Sequence, residues 1–196
     1  MRLSDDEFRA MNTRLRRFFH RWVEYPAFRW VGLQCRGLDV LEIGCGSGYG
    51  AVLLSRLGPR SYLGIDLMPE MIELARRQGP AGAEFRVLDA SNMPEVAAAS
   101  KDAVAIFGIL HHIPKWRGVL AECHRVLRPG GRLFLEEPVP WTVRAWDRVF
   151  HWEHPEEAMF GRKELESQFA RLGFAVVRRL RCVPAMVYCV RKPGAG

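Results

Sequence analysis

The sequence predicts an α/β fold in which a mostly parallel, seven-stranded sheet lies between two layers of helices. Two observations predict it. From Leu38 onward, short apolar runs alternate with segments of helical periodicity, as in parallel strands joined by crossover helices. Near the C-terminus, two apolar runs are separated only by Cys182, Val183 and Pro184, which are too few for a crossover, so these runs must pair antiparallel. The sheet is therefore expected to end in an antiparallel hairpin.

Each element has its own local signal. The parallel strands are predicted at 38–43, 61–66, 84–88, 102–107 and 132–136, with helices at 49–57, 69–78 and 115–127. The run Arg128-Pro129-Gly130-Gly131 is expected to stop the last of these helices. A final helix at 162–172 precedes the hairpin strands at 174–181 and 185–191.

The composition fits one globular domain. The chain has 196 residues, of which 48% are hydrophobic and 26% charged. No apolar run approaches the roughly 20 residues that span a bilayer. The N-terminus carries acidic residues where a signal peptide has basic and apolar segments, which favours a cytoplasmic location. The net charge of +7 favours anionic partners in general.

The cysteines indicate neither a disulfide framework nor a zinc knuckle. Their number is odd and no Cys-x-x-Cys pair occurs; the positions are Cys35, Cys45, Cys123, Cys182 and Cys189. They are expected to be buried thiols.

An amphipathic basic helix is predicted at the N-terminus. Ser4-Asp5-Asp6-Glu7 has the form of a capping box. The residues that follow at helical spacing on one face are Phe8, Met11, Leu15, Phe18, Phe19 and Trp22, and arginines occupy the other face. Such a helix serves as a lid over the domain or as a contact with an anionic membrane, and the sequence leaves both open.

Three glycines between the first strand and its helix mark a ligand site. Gly44, Gly46 and Gly48 fall at the carboxyl end of the sheet, where open α/β folds bind ligands. Glycine there lets a ligand approach the main chain. Tyr49 stands where the dinucleotide fingerprint has its third glycine, so a dinucleotide is disfavoured.

Two acidic residues at neighbouring strand ends favour a nucleoside. Asp66 closes the second strand 20 residues after Gly46, where a carboxylate accepts hydrogen bonds from both ribose hydroxyls. Asp89 closes the third strand and is expected to receive an adenine amino group beside the backbone of Ala90, or else to form a turn.

Five motifs in series resemble the class I S-adenosylmethionine-dependent methyltransferases, in particular the small-molecule type with "LEIGCGSG". The motifs are "VLEIGCGSGYGA", "YLGIDLMPEMIELAR", "FRVLDASNMP", "KDAVAIFGILHHIP" and "VLAECHRVLRPGGRLFLEEP". The resemblance implies a Rossmann-like three-layer sandwich, the cofactor S-adenosyl-L-methionine and the product S-adenosyl-L-homocysteine.

The resemblance also implies roles for individual residues. The glycine loop, including Cys45, would face the methionine part of the cofactor, and Glu42 would hold its ammonium group. Asp66 would bind the ribose, and Asp89 with Ala90 would recognise the adenine edge. The remaining cofactor contacts it implies are Leu67 and Met68 beside the adenine, and Phe107 and Gly108 beside the transferring methyl group.

The histidines are the candidates for proton removal from an acceptor. His111 and His112 follow the fourth strand, where either could act as a base, although helix capping or loop packing also explains them. His151 and His154 have an i, i+3 spacing, but no third convergent ligand is evident, so no metal is expected.

The acceptor must be inferred from what surrounds the shared core. One methyltransferase domain is expected, with a lid at 1–36, a cofactor core at 37–137, an acceptor-side insertion at 138–161 and a C-terminal helix and hairpin at 162–196. The aromatic residues of the insertion would line an apolar acceptor site or form the underside of a cover; they are Trp141, Trp146, Phe150, Trp152 and Phe160.

The leading hypothesis is methyl transfer by direct displacement to a small, apolar or aromatic acceptor. One alternative is a non-catalytic regulatory protein that binds S-adenosylmethionine, and another is an enzyme for lipid- or quinone-type acceptors at the membrane surface. Nucleic acid is not expected as a partner, because no RNA-binding motif or lysine-rich tail accompanies the arginines. The sequence leaves the oligomeric state open.

Overall fold

The computed structural model describes residues 13, 18–152, 154–181 and 184–194 of the chain. The predicted capping box and most of the predicted N-terminal helix lie outside these residues. The seven strands are β1 (Asp39–Ile43), β2 (Ser61–Asp66), β3 (Glu84–Val87), β4 (Lys101–Phe107), β5 (Leu127–Pro138), β6 (Ala175–Arg181) and β7 (Ala185–Arg191).

The strands form one mixed sheet in the order β3-β2-β1-β4-β5-β7-β6. Pairing is parallel from β3 to β5, and β7 runs antiparallel to both of its neighbours. This confirms the predicted parallel sheet with its C-terminal hairpin. The strand order reverses between β1 and β4, which creates a crevice at their carboxyl ends.

Helices cover both faces of the sheet. A π-helical turn at His20–Glu24 leads into α1, and single 3-10 turns occur at Leu110–His112 and Glu156–Ala158. The α-helices are α1 (Tyr25–Trp30), α2 (Tyr49–Ser55), α3 (Pro69–Gln78), α4 (Trp116–Val126), α5 (Pro140–Phe150) and α6 (Arg162–Arg171). Within the insertion, α5 is a helix that the sequence analysis did not predict.

Alternation along the strands produces two apolar cores. Leu41 and Ile43 of β1 face one core, which α4 and α6 cover with Trp116 and Phe169. Val40, one residue away, faces the other core, where α1, α2 and α3 pack. Because each face of the sheet buries its own set of residues, the architecture has the three layers expected.

Two local predictions need correction. The helix α4 ends at Val126, and the run from Arg128 to Gly131 belongs to β5, where the pairing with β4 shifts register after Lys101. In the N-terminal segment, Phe18, Phe19 and Trp22 are 49–60% exposed, so these three residues of the predicted apolar face are not packed against the domain. Among the described residues, no helix combines the length and apolar character needed to cross a membrane.

Candidate cofactor and acceptor site

A cavity of about 350 Å³ opens in the crevice between β1 and β4. It reaches the carboxyl end of β2 and the loop after β3. The predicted site residues in its wall are Glu42, Gly44, Cys45, Gly46, Asp66, Leu67, Met68, Asp89, Ala90, Phe107, Gly108 and His112. Two predicted residues, Gly48 and His111, do not line it. The tertiary structure thus brings four strand ends to one cavity.

The three glycines of the loop meet different surroundings. A Cβ added to Gly44 would lie 2.6 Å from Cγ1 of Ile109, and one added to Gly48 would lie 3.1 Å from the Cα of Ala75. All three glycines have a positive φ, +67° at Gly44, +50° at Gly46 and +83° at Gly48. Only at Gly46 would an added Cβ find no atom within 4 Å. Gly44 and Gly48 are therefore required by protein packing, which places Gly48 outside the cavity wall, whereas Gly46 faces open space.

Asp66 fastens the glycine loop to the end of β2. Its Oδ2 accepts a hydrogen bond from the backbone N–H of Gly46 at 3.0 Å, and its Oδ1 accepts one from the N–H of Met68 at 2.9 Å. Burial raises the pKa of the carboxyl, and the N–H donors from Met68 and Gly46 oppose that rise. Each carboxylate oxygen has a second lone pair, which the predicted ribose contact requires.

Glu42 is 2% exposed and lies in the cavity wall. The hydroxyl of Tyr62 donates a hydrogen bond to its Oε2 at 2.6 Å. Burial, reinforced by the Glu42 charge, raises the pKa of Tyr62 well above its ordinary value, which keeps this phenol a donor. A buried carboxylate of this kind suits the predicted ammonium contact, because an ionised partner offsets the cost of burying it.

Asp89 makes the turn that the sequence analysis held open. Its Oδ1 accepts hydrogen bonds from the backbone N–H and the Oγ–H of Ser91, at 2.8 and 2.7 Å. Both bonds use Oδ1, so this turn is compatible with a ligand at Oδ2. The adenine contact of Asp89 stays a prediction.

Cys45 stabilises the glycine loop through its backbone, while its thiol is buried. Its N–H donates to the carbonyl of Ile65 at 3.0 Å. The side chain is buried against Gly64, where an added Cβ would meet Sγ at 3.0 Å. Burial raises the pKa of the thiol well above its ordinary value, so it remains protonated. The other described cysteines, Cys35, Cys123 and Cys189, are also free and buried.

His20 reaches the cavity from the N-terminal segment, and the sequence analysis missed it. Its ring lies 4.3 Å from that of Phe107 and 5.7 Å from that of Tyr49, between centroids. The helical pattern placed Phe18, Phe19 and Trp22 on the inner face, whereas the side chain that packs inward is His20. The position of His20 at the cavity follows only from the packing of this segment on β4.

Glu137 holds the loop that follows β4 and was also missed. The carboxyl is fully buried at the end of β5. It accepts hydrogen bonds from the N–H groups of Ile109 and Leu110 at 2.8 and 2.6 Å, and Nδ1 of His111 lies 2.8 Å from its Oε2. Burial raises the pKa of Glu137 to about 8, against the effect of the backbone donors.

Three histidines converge beside this loop. The ring centroids of His111 and His112 are 4.2 Å apart, and that of His154 lies 5.1 and 4.5 Å from them. The sequence showed no third ligand to join His151 and His154, whereas in the structure His154 meets two histidines from a segment about 40 residues earlier.

None of the five aromatic residues of the insertion lies in the cavity wall, so their role in an acceptor site stays a prediction. Phe160 stacks on Trp116 in the core at 4.2 Å, so its role is packing. Trp141, Trp146 and Phe150 are exposed. Trp152 stacks on Phe150 at 4.9 Å and meets the ring of His154 edge-on at 6.4 Å.

Comparison with known proteins agrees with this geometry. Residues 41–135 match the family model described as a methyltransferase domain. The chain is 35% identical over 106 residues to a "Ubiquinone biosynthesis O-methyltransferase" of Xanthomonas oryzae; the match covers 53% of this chain and 44% of that protein. It is 40% identical over 119 residues to a "Phthiotriol/phenolphthiotriol dimycocerosates methyltransferase" of Mycobacterium leprae, covering 60% of this chain and 42% of the relative.

Among solved structures, a "SAM-dependent methyltransferase" from Methanosarcina mazei aligns with a TM-score of 0.68 at 25% identity, over 87% of this chain and 99% of that one. The matches to the two curated relatives thus span less than half of their length, whereas the structural match extends over nearly the whole domain. Residues 41–135 therefore match a methyltransferase domain, and the described chain has the fold of a class I S-adenosylmethionine-dependent methyltransferase, as the five motifs predicted.

Proposed function

We propose that the protein transfers a methyl group from S-adenosylmethionine to a small, apolar or aromatic acceptor by direct displacement. The observation that carries the proposal is the wall of the cavity on its β4 side. Phe107, Ile109 and Ile113 make it apolar, and His112 adds one imidazole. Together with His20 and Lys115, this gives an apolar wall with a few polar groups, which is the usual composition of a small-molecule site.

The residues of the cavity fit the cofactor. The volume of the cavity falls within the roughly 300–1,000 Å³ of small-ligand sites. Gly46 leaves open space beside the main chain, Glu42 offers a buried carboxylate for an ammonium group, and Asp66 offers lone pairs for ribose hydroxyls. When bound, the cofactor supplies an electrophilic methyl group on a sulfonium sulfur.

The protein's task is then to orient the acceptor and to manage its proton. Alignment with the acceptor and methyl carbon roughly 3 Å apart supplies most of the rate enhancement. If the acceptor is a hydroxyl, its proton must leave, and His112 is the one of the two predicted candidates that lines the cavity.

The printed names of the two curated relatives favour a hydroxyl on an apolar molecule. One name specifies O-methyl transfer in ubiquinone biosynthesis, and the other concerns phthiotriol and phenolphthiotriol dimycocerosates. Both names support the acceptor class proposed from the cavity wall.

The test is an incubation of the purified protein with methyl-labelled cofactor and a small-molecule extract, followed by identification of the labelled product. The expected result is one apolar or aromatic product that carries the label. The Asp66→Ala variant, which loses a cofactor contact, is the matched control and is expected to label less. Label confined to protein or nucleic acid, or no label with a wide range of extracts, would reject the proposal.

A second candidate is the same reaction on a lipid- or quinone-type acceptor at a membrane surface. The specific observation is the run of exposed apolar side chains before β1: Phe18, Phe19, Trp22, Val23 and Trp30 are 49–60% exposed. Sedimentation with anionic vesicles tests it. Binding to anionic vesicles that weakens in Trp22→Ala would favour this version, and equal recovery of both proteins in the supernatant would exclude it.

A further inference from the structure

We propose that His111, His112 and His154 form a binding site for one divalent transition metal of the zinc class at the acceptor end of the cavity. The proposal rests on the proposed function, which it deepens by naming what activates the acceptor. The ligand nitrogens of the three side chains lie within 4.8 Å of one another, and His112 borders the cavity.

The chemistry of the donor set fits such an ion. Imidazole nitrogen is a preferred ligand of zinc, copper, iron and nickel ions. Three histidines with a fourth position open to substrate or water are the arrangement of catalytic zinc sites. In a tetrahedral site the nitrogens lie roughly 3.4 Å apart, so the rings would draw together by on the order of 1 Å.

The carboxylates behind the histidines are the second, independent observation. Nδ1 of His111 lies 2.8 Å from Oε2 of Glu137, and Nδ1 of His154 is hydrogen-bonded to Oδ1 of Asp147. A carboxylate at Nδ1 fixes the tautomer and directs Nε2 to the metal. When both acids are ionised, the two pairs also place two negative charges around the two positive charges of the ion.

The surroundings would keep the site dry on one side and open on the other. The side chain of His154 is 1% exposed, and the ring of Trp152 meets it edge-on. His112 meets the cavity wall beside Ile109 and Ile113. Water is therefore excluded from the ligands, while the cavity gives an acceptor access to the open position.

The ion would lower the pKa of an acceptor hydroxyl next to the transferring methyl group. The hydroxyl proton passes to water and the oxygen electron pair forms the new O–C bond. The C–S bond breaks with its electron pair going to sulfur, which becomes the neutral thioether of S-adenosylhomocysteine. His112 then serves as a ligand and not as the base.

The experiment measures metal content and the visible spectrum of the protein loaded with Co²⁺, in the wild type and two variants. His154→Ala removes one ligand. His151→Ala removes an exposed histidine three residues away that is outside the cluster, and it is the matched control. We expect about one equivalent of Zn²⁺ and the bands of four-coordinate Co²⁺ in the wild type and His151→Ala. His154→Ala should bind at least tenfold more weakly.

A denaturation curve and the affinity for S-adenosylhomocysteine show whether His154→Ala is folded, so a lost metal is not mistaken for a lost fold. Equal binding by His154→Ala and the wild type, or no stoichiometric binding by the wild type, overturns the proposal. Methyl transfer that persists with a chelator present would overturn the metal's role and leave the proposed function standing. Absent methyl transfer with stoichiometric metal would reject the proposed function instead.

Discussion

Two acidic side chains, Asp66 at the end of β2 and Glu137 at the end of β5, each hold a loop by accepting its backbone N–H groups. They lie on opposite sides of the cavity. Each accepts backbone N–H groups from a loop that follows another strand, β1 for Asp66 and β4 for Glu137. Asp66 is partly exposed and lines the cavity, whereas Glu137 is fully buried and does not. The same residue chemistry thus fastens a loop at the cavity wall in one half and a loop behind the wall in the other.

The difference shows how the two halves are built. The Asp66 side of the cavity, which we call the cofactor half, is made largely of main chain. Its loop contains three glycines and is fastened by one carboxylate, all within 25 residues of sequence. The acceptor half is made of side chains from three separate segments, which packing brings together. Substitution of Asp66 should therefore lower the affinity for the cofactor, and substitution of Glu137 should lower the free energy of unfolding.

The largest effect is expected from Glu137→Ala. The N–H groups of Ile109 and Leu110 and Nδ1 of His111 lose their partner, so the free energy of unfolding should fall by about 3–5 kcal/mol. Chemical denaturation of the variant measures it. Asp66→Ala is the control, and it should cost less because water can reach the freed N–H groups. An equal cost for both variants would contradict the comparison.

Asp66→Ala should weaken the binding of S-adenosylhomocysteine by about 1–3 kcal/mol, the usual effect of deleting a hydrogen-bonded charged partner. Calorimetry gives the change in Kd. Glu137→Gln, which alters a carboxylate outside the cavity wall, should keep nearly normal affinity. Unchanged affinity in Asp66→Ala would remove its ribose role, and a larger loss in Glu137→Gln would reverse the assignment of the two halves.

The pH dependence of stability should also distinguish the Glu137 side. The pKa of Glu137 is raised from 4.5 to about 8 in the folded protein, with His111 as its close titratable neighbour. Its contribution is therefore fully present below about pH 4.5 and lost as the pH rises through about 8. Denaturation at pH 5 and pH 8 should show the wild type losing stability relative to Glu137→Gln. Parallel curves for the two proteins would show that the carboxyl does not titrate in this range.

The smallest effect is expected for cofactor binding by His112→Ala. His112 lies on the acceptor side, so the affinity for S-adenosylhomocysteine should change by less than about 0.5 kcal/mol. Calorimetry on this variant beside Asp66→Ala makes the comparison direct. A loss as large as that of Asp66→Ala would mean that the two halves are coupled. Turnover on the identified acceptor is a separate measurement, and a normal rate would eliminate His112 as base or ligand.

The sequence alone determined the sheet, its hairpin and most of the cavity wall. Apolar periodicity defines strands and helices locally, and parallel strands bring their carboxyl ends to one edge. Glycines and acidic residues that directly follow those strands must then meet there. This is why Gly46 and Asp66 could be assigned to the cavity from the printed sequence.

The side chains that complete the cavity and its surroundings could be identified only from their packing. Gly48 packs on Ala75 instead of lining the cavity, and His20 turns inward where the helical pattern expected phenylalanines. Glu137 lies 26 residues from His111, and His154 lies 42 residues from His112. No short-range pattern encodes such distances, because they depend on how β5 and the insertion pack against the loop after β4. Local periodicity is therefore enough to predict the strand ends that form the cavity. The side chains on the acceptor side depend on long-range packing.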